Sequence, residues 1–468
     1  MHPRHGASGG QDLALALVQD EKHDTTLPFV DTPWTDSVDV PGIGDALAPG
    51  LRLAFLVGLG ALRHEVRGDA AGVVEERLYL CEPLPGHAPG DFERFAWNHE
   101  PRPRPTGLPE SLERTLNETL ARLRSEEPDA NNWPPFTLPG FHARLASALD
   151  AKPALRGEAS LGTSRHQDPD PEGPRLHQLR AWTLSSVWVG ARSVLKAPNP
   201  LWRTEPAVTA LVGRYAPDAA PTVLAHGEVE VPGGKEPAPW MVMRRVVGAE
   251  VHGDEHRTRL AFEIGGLQRR LLPHEHELRA AGMPDRLVVR TEAELDGVWA
   301  SPELAKLEAE DRARLPALDA WIRQKLRAFA ITQPPAVLTH GDLHCGNAIE
   351  RVHDDAGTAG PAPLVLIDWT DVAFAWPGVD LFTIAGFEAD LDGEVHAALQ
   401  RAYIAGLAGA IGASPEAMVR RGVELSPVYH LVSYVQIARA LPPRAGWEVE
   451  GVVRYLARLL LRRMDGEA

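Results

Sequence analysis

The segment that most restricts this chain is Val337–Ile349, VLTHGDLHCGNAI, together with the apolar run Leu364–Ile367 that ends in Asp368-Trp369. Both apolar runs are short and rich in Val, Leu and Ile, the composition of a buried strand. The first leads into the loop His340-Gly341-Asp342-Leu343-His344-Cys345-Gly346-Asn347, and the second delivers a carboxylate at its very end. Two histidines and two carboxylates in this order are one donor set for a zinc or iron site. The asparagine five positions after Asp342 counts against that and points to another chemistry.

Phosphoryl transfer asks three things of a site: a carboxylate to orient the acceptor hydroxyl and take its proton, further oxygen ligands for Mg²⁺, and a lysine on the phosphates. The spacing of Asp342 and Asn347 is that of the catalytic Asp and metal-binding Asn in the protein-kinase loop, and Asp368 stands where the metal-binding Asp follows a strand. The segment resembles the aminoglycoside phosphotransferase and choline kinase superfamily, whose loop reads H-G-D-x-H-x-x-N before a strand ending in I-D-W. Every fixed position is present here. The resemblance covers about Gln178 to the C-terminus and is similar to a bacterial branch with an additional N-terminal domain. It implies an α+β, bilobal protein-kinase-like fold with a small antiparallel β N-lobe and a mainly helical C-lobe. It implies ATP and Mg²⁺ as cofactors, Asp342 as catalytic base, and Asn347 and Asp368 as metal ligands. His340 and His344 would fix the loop, and Asp380 would brace it. Cys345, within the loop, has no partner pattern for nucleophilic catalysis.

On the nucleotide side, Lys196 ends the run Ser193–Lys196 and Glu205 opens the next helical stretch, the lysine–glutamate device of the kinase fold. An ordinary surface lysine and a glutamate favouring a helix dipole are the plainer alternative. No G-x-G-x-x-G occurs between the first two strands, so a turn at Leu184-Ser185-Ser186 would have to cover the phosphates with N–H groups and hydroxyls. Trp240–Arg244 resembles the strand leading to the interlobe hinge, with Met243 toward adenine; Met241 and Met243 are also ordinary core fillers.

Three domains are expected: 1–135, an accessory α+β domain with its linker; 136–245, the nucleotide-binding lobe; and 246–468, the helical lobe with the catalytic loop and acceptor site. In the first, Leu51–Leu62 and Arg77–Glu82 read as strands and Ser111–Arg124 as a polar helix. The row of glutamates that makes a Nudix helix is absent. In the second, Gln178–Thr183, Val187–Lys196, Pro221–Glu230 and Pro239–Arg245 read as strands and Glu205–Tyr215 as a helix capped by Thr204. In the third, Thr258–Leu272, Glu303–Ala328, Val395–Ala408 and Glu448–Met464 have helical periodicity.

Lys plus Arg number 48 and Asp plus Glu 64, a net charge of −16, which argues against nucleic acid as a partner. Two cysteines, Cys81 and Cys345, make no disulfide framework and fit a reducing cytoplasm. Neither a membrane span nor a targeting segment is read from the sequence. The partner expected is a small-molecule acceptor, and an amine-bearing one suits the acids Glu388, Asp390, Asp392 and Glu394 and the aromatic pair Tyr429 and Tyr434 around His430. A solvated loop explains the acids equally well. A kinase-like regulator or scaffold that binds nucleotide without transfer is the second functional class; retention of Lys196, Asp342, Asn347 and Asp368 together counts against it.

Overall fold

The computed structural model describes the backbone of 11–16, 29–33, 51–64 and 72–83, and residues 134–466 apart from 139, 162–175, 182, 232–233, 353–361, 388–392, 413, 442–448 and 450. The chain divides into two compact units. One comprises Met1–Arg203, Leu224–Arg245 and Leu441–Ala445, the other Thr204–Val223, Val246–Ala440 and Gly446–Ala468.

In the first unit, β1 (Gln11–Ala16), β2 (Phe29–Pro33), β3 (Leu51–His64) and β4 (Gly72–Pro83) form a sheet of order β2-β1-β4-β3. The two runs expected as strands lie within β3 and β4; the helix expected over Ser111–Arg124 lies outside the described residues. A second sheet joins β5 (His177–Ala181), β6 (Ser185–Val189), β7 (Ser193–Pro198), β8 (Val223–Val229) and β9 (Ala238–Arg244) in the order β5-β6-β7-β9-β8. Its registered pairs are antiparallel. Helix α1 (Phe141–Asp150) turns Phe141, Leu145 and Leu149 into a core shared with Trp188, Leu195, Trp240 and Val242. Those apolar side chains at i, i+4 and i+8 are the one-face spacing of an amphipathic helix.

The single strand expected over Val187–Lys196 is two. Gly190 breaks the run, and its N–H donates to Ser193 O at 2.8 Å across a tight turn. Arg245 Nη1 donates to Gly190 O at 3.1 Å and fastens that turn. The expected turn at Leu184–Ser186 is therefore displaced: Ser185 and Ser186 are buried strand residues facing Pro198 and Ala197, and Ser186 Oγ accepts from Trp188 Nε1 at 3.1 Å. The Gly190-Ala191-Arg192-Ser193 interruption between the apolar runs Val187–Val189 and Val194–Leu195 marks it in the sequence.

The second unit is mainly helical. Its helices are α2 (Glu205–Tyr215), α3 (Gly253–Leu271), α4 (Glu275–Ala280), α5 (Val288–Trp299), α6 (Pro302–Ala305) and α7 (Ala309–Ala330). After the loop region follow α8 (Val379–Ile384), α9 (Glu394–Leu407), α10 (Pro415–Ala440) and α11 (Val452–Asp465). Short strands β10 (Gly248–Glu250), β12 (Ala348–Arg351) and β13 (Leu364–Leu366) form one sheet; β11 (Val337–Thr339) and β14 (Ala373–Ala375) form another. Helix α2 starts where the sequence places it, but Thr204 has helical dihedrals and makes no side-chain cap bond. The stretch Glu303–Ala328 divides into α6 and α7. The 26-residue α10, with Pro427 inside it, was not anticipated. An internal proline costs ~3 kcal/mol. Burial of Val423, Val428, Leu431, Val432 and Val435 at roughly 1.5–3 kcal/mol each outweighs it.

Two apolar clusters fill this unit. One gathers Val208 and Val212 of α2 with Leu260, Ile264 and Leu267 of α3 and Leu399 and Tyr403 of α9. The other joins α5, α7, α8, α10 and α11. Helices α3 and α9 meet at glycines: a Cβ on Gly265 would strike Tyr403 O, and one on Gly406 would strike Phe262 O. Among the described residues, no helix is long and apolar enough to cross a membrane.

Candidate active site

Two strand pairs hold both ends of the His340–Asn347 loop. Thr339 of β11 lies opposite Ala373 of β14, and Ala348 of β12 lies opposite Leu366 of β13. Ile367 N donates to Asn347 O at 2.9 Å, so the end of the loop is tied to the residue before Asp368. Leu343, fully buried, anchors the loop's middle in the core beside Ala348 and Leu366. Gly341 adopts φ +83°, and a Cβ there would fall on Asp371 O and lie 2.8 Å from Asp371 Cβ. Only glycine meets both demands, the left-handed backbone and the close approach.

Beneath the loop sits Asp380, 1% exposed. Its Oδ1 accepts from Thr339 Oγ1 at 2.7 Å and Gly341 N at 2.9 Å; its Oδ2 accepts from His340 N and Gln268 Nε2, both at 3.3 Å. Burial pushes its carboxyl up to about 6, against the opposing pull of the Thr339, Gly341 and His340 bonds. Gln268 is itself held by Tyr403, whose hydroxyl donates to Gln268 Oε1 and accepts from Gly378 N at 3.2 Å. His340 is fully buried; its Nε2 lies 2.9 Å from Ile367 O and its ring lies against Trp369, centroids 4.7 Å apart. Trp369 Nε1 donates to Leu366 O at 3.0 Å.

Above this platform stand the more accessible groups. Asn347 Nδ2 donates to Asp342 O at 2.8 Å and to Asp342 Oδ2 at 3.3 Å, which orients the amide with Oδ1 as its oxygen donor. His344 Nδ1 accepts from Gly346 N at 3.0 Å, so Nε2 carries the proton and lies 3.9 Å from Asp342 Oδ2. Burial lowers the His344 pKa, partly offset by Asp368, so the ring is neutral near pH 7. Asp368 holds φ +62°, a region that non-glycine residues occupy at a cost, with Thr370 Oγ1 donating to its Oδ1 at 2.8 Å. The six loop-side residues singled out from sequence, His340, Asp342, His344, Asn347, Asp368 and Asp380, are thus parts of one connected structure. Burial pushes the Cys345 thiol up, the opposite of an activated nucleophile.

The donors available for a cation are oxygens from Asp342, Asn347 and Asp368. Among the described residues, no group of three or more His, Cys, Asp or Glu is arranged to hold a metal by itself, and His340 turns Nε2 to the main chain. This does not suit zinc or iron. It fits Mg²⁺, which takes one or two hard oxygen ligands from protein and the rest from phosphate and water.

The other expected site residues are carried by other elements. Lys196, buried on β7, faces Val187 and Met241 across the sheet, and Met243, half-buried, faces Val194; both belong to the first unit, as do Ser185 and Ser186. Glu205 is fully buried at the start of α2 in the second unit. Of the acidic cluster, Glu388, Asp390 and Asp392 lie outside the described residues, and Glu394 is exposed at the start of α9. His430 is turned into an aromatic nest of Phe382, Phe387 and Tyr429 rather than toward the loop, and burial lowers its pKa to about 3. Sequence reasoning missed Gln268, Thr339, Tyr403, Arg286 and Ser433, whose positions in the network depend on contacts between elements far apart in the chain.

The architecture is the α+β class implied by the loop, with an antiparallel five-stranded sheet in the first unit and a mainly helical second unit. Residues 186–412 match the family model described as phosphotransferase enzyme family. No curated protein matches the chain. Among solved structures, a GDP and kanamycin complex of APH(2")-IIia is 15% identical, with a TM-score of 0.44, covering 63% of this chain and 94% of that one. A choline/ethanolamine kinase family protein from Mesorhizobium loti is 18% identical, with a TM-score of 0.40, covering 68% and 98%. A microcompartment-associated aminopropanol kinase is 15% identical, with a TM-score of 0.43, covering 69% and 98%.

Proposed function

We propose that this chain transfers the γ-phosphate of ATP to a hydroxyl group of a small-molecule acceptor. The observation that carries this reading is the bond from Asn347 Nδ2 to Asp342, with Asn347 O tied to Ile367 beside Asp368. One acid, one amide and a second acid are thereby held in a single rigid loop system. Asp342 is the base: it accepts the hydrogen of the acceptor hydroxyl, aligns that oxygen for in-line attack on the γ-phosphorus, and takes up the proton as the new P–O bond forms and ADP leaves. Asn347 Oδ1 and Asp368 would hold Mg²⁺, which would supply charge neutralisation at the phosphates. His344, neutral and with its Nε2 proton toward Asp342, does not compete as a base. Asp380 positions the loop by accepting from consecutive main-chain N–H groups. Lys196 is assigned to the α- and β-phosphates and Met243 to the nucleotide side. Most of the acceleration then comes from alignment and charge stabilisation in a preorganised site.

The test is transfer from γ-labelled ATP in an acceptor screen, with Asp342→Ala and Asp368→Ala alongside the wild type. The Asp342 variant loses transfer by about 10²–10⁴-fold, the usual contribution of a positioned base, and keeps nucleotide binding. The Asp368 variant loses Mg-dependent nucleotide affinity by calorimetry. Wild-type turnover in the first, or unchanged affinity in the second, removes the assigned role. Nucleotide binding with no transfer to any acceptor favours the regulatory alternative.

A further inference from the structure

Beneath the catalytic loop, the hydrogen bonds around Asp380 close into a circuit that begins at the N-cap of α8 and ends on its first turn. Gly378 N donates to Tyr403 OH at 3.2 Å, Tyr403 OH donates to Gln268 Oε1, and Gln268 Nε2 donates to Asp380 Oδ2 at 3.3 Å. Each step fixes the next. The Tyr403 oxygen accepts from Gly378, so its single proton goes to Gln268, and the Gln268 amide is thereby locked with its nitrogen toward Asp380. Gln268 and Tyr403 are 2% and 0% exposed. They meet because α3 and α9 touch backbone to backbone: a Cβ on Gly265, one turn before Gln268, would strike Tyr403 O. Gly378 is confined from the other side, at φ +99°, where a Cβ would lie 3.0 Å from Val419 O and 3.2 Å from Val423 Cγ2 of α10.

We infer that Gln268 and Tyr403 are positioning residues for phosphoryl transfer: together they keep an N–H on Asp380 Oδ2, so that Asp380 stays the anion that accepts from the main chain of His340 and Gly341 and holds Asp342 in place. The inference rests on the phosphotransferase reading. Among the described residues no cation acts on Asp380, and its charge is balanced by four donors, Thr339 Oγ1, His340 N, Gly341 N and Gln268 Nε2. Three of the four belong to the strand and loop being held. Gln268 alone comes from α3, and its orientation is set by another residue. Turned over, its amide would present Oε1 to Asp380 Oδ2, and two acceptors facing each other need a proton between them. Asp380 would then take up that proton and offer the loop N–H groups a weaker acceptor. Of the titratable groups packed around it, the Tyr403 phenol on α9 and the Tyr429 phenol on α10 are pushed up by burial and stay protonated. The His340 ring turns to Ile367 O and Trp369. With its own carboxyl pushed up to about 6 by burial, Asp380 is close enough to neutrality for one donor to tip it.

The experiment measures ATP turnover by the full chain, counted as the ADP release that Asp342→Ala loses, from about pH 5 to about pH 9, with melting alongside. Gln268→Met, which keeps the length and drops the amide, lowers kcat about tenfold at neutral pH with KM for ATP unchanged, inside the roughly 10²-fold cost of a displacement near 1 Å at a reacting group. It also moves the acid limb of kcat up by about one pH unit, the worth of one hydrogen bond to a charged group. Tyr403→Phe, which leaves the ring in place, acts in the same direction and serves if Gln268→Met does not fold. In the double variant the second change adds nothing, since Tyr403 acts through Gln268. Asp380→Asn cannot ionise, and Gln268→Met moves no limb in that background. A purely structural role lowers melting and leaves kcat and its acid limb as in wild type. That result, or additive losses in the double variant, overturns the inference, and Asp342-dependent turnover then leaves the phosphotransferase reading standing. Absence of any Asp342-dependent turnover in the wild type refutes that reading and the inference with it.

Discussion

Gly341→Ala tests how the catalytic loop is held. Two costs are expected. The first is the dihedral: at φ +83° an L-residue is disfavoured by roughly 1–2 kcal/mol. The second is steric, because the new methyl would overlap Asp371 O and approach Asp371 Cβ to 2.8 Å, and backbone cannot swing aside as a flexible side chain can. Forcing a methyl into a filled space costs typically 1–3 kcal/mol. The same unit contains an internal control in Gly409, also at φ +83° but with nothing within 4 Å of the added Cβ. Gly409→Ala carries the first cost alone, so the difference between the two variants isolates the second. At about 2–4 °C per kcal/mol, Gly341→Ala should melt roughly 2–12 °C below Gly409→Ala. Its phosphate transfer, or Asp342-dependent ATP turnover where no acceptor is present, should fall by up to about 10²-fold, the cost of a displacement near 1 Å at a reacting group. Calorimetric or fluorescence melting and a turnover assay make the comparison. Equal melting of the two variants, with wild-type turnover in Gly341→Ala, would falsify the claim that this contact sets the position of Asp342.

Three further outcomes follow from the same structure. Asp380 has its folded-state pKa raised from 3.8 to about 6, so its contribution is fully present below pH 3.8 and is lost as pH rises through about 6. The shift corresponds to about 3 kcal/mol, and Asp380→Asn, which cannot ionise, should lack this slope when denaturation midpoints of the two proteins are compared from pH 4 to pH 7. Gly406→Ala drives a methyl onto Phe262 O where α3 and α9 meet, and should lower stability by about 1–3 kcal/mol in denaturant titrations while leaving KM for nucleotide unchanged. Lys196→Ala should weaken ATP binding measured by calorimetry with little change in turnover-independent melting; unaltered affinity removes it from the phosphate site.

Much of the site was legible because its residues are close in sequence and their order is set by chemistry. The loop His340–Asn347 and the acid at the end of Leu364–Ile367 required no tertiary information to be grouped. The helices α2, α3, α9 and α11 were legible for a related reason: an amphipathic stripe declares its own period. The turn at Gly190–Arg192 was passed over in favour of one at Leu184–Ser186, and with it the strand placement of Ser185 and Ser186, although Gly190 interrupts the apolar run. Helix α10 was not read from the sequence; it carries Pro427, whose local penalty is overcome by burial that no local window reports. His430 looked like a substrate contact beside two tyrosines, yet the fold turns its ring into the nest of Phe382 and Phe387.

By itself, then, the amino-acid order singled out the proposed reactive set, Asp342, Asn347 and Asp368, since hydrogen-bonding and metal-binding types at fixed separations are a local property. Only the folded chain decided what surrounds that set. The bond from Gln268 to Asp380 and the chain from Arg286 through Ser433 to Asp371 join residues 62 to 147 positions apart. Such bonds exist because burial of α3 and α10 brings them together, and the free energy that does so is spread over apolar contacts carrying no directional mark in the sequence.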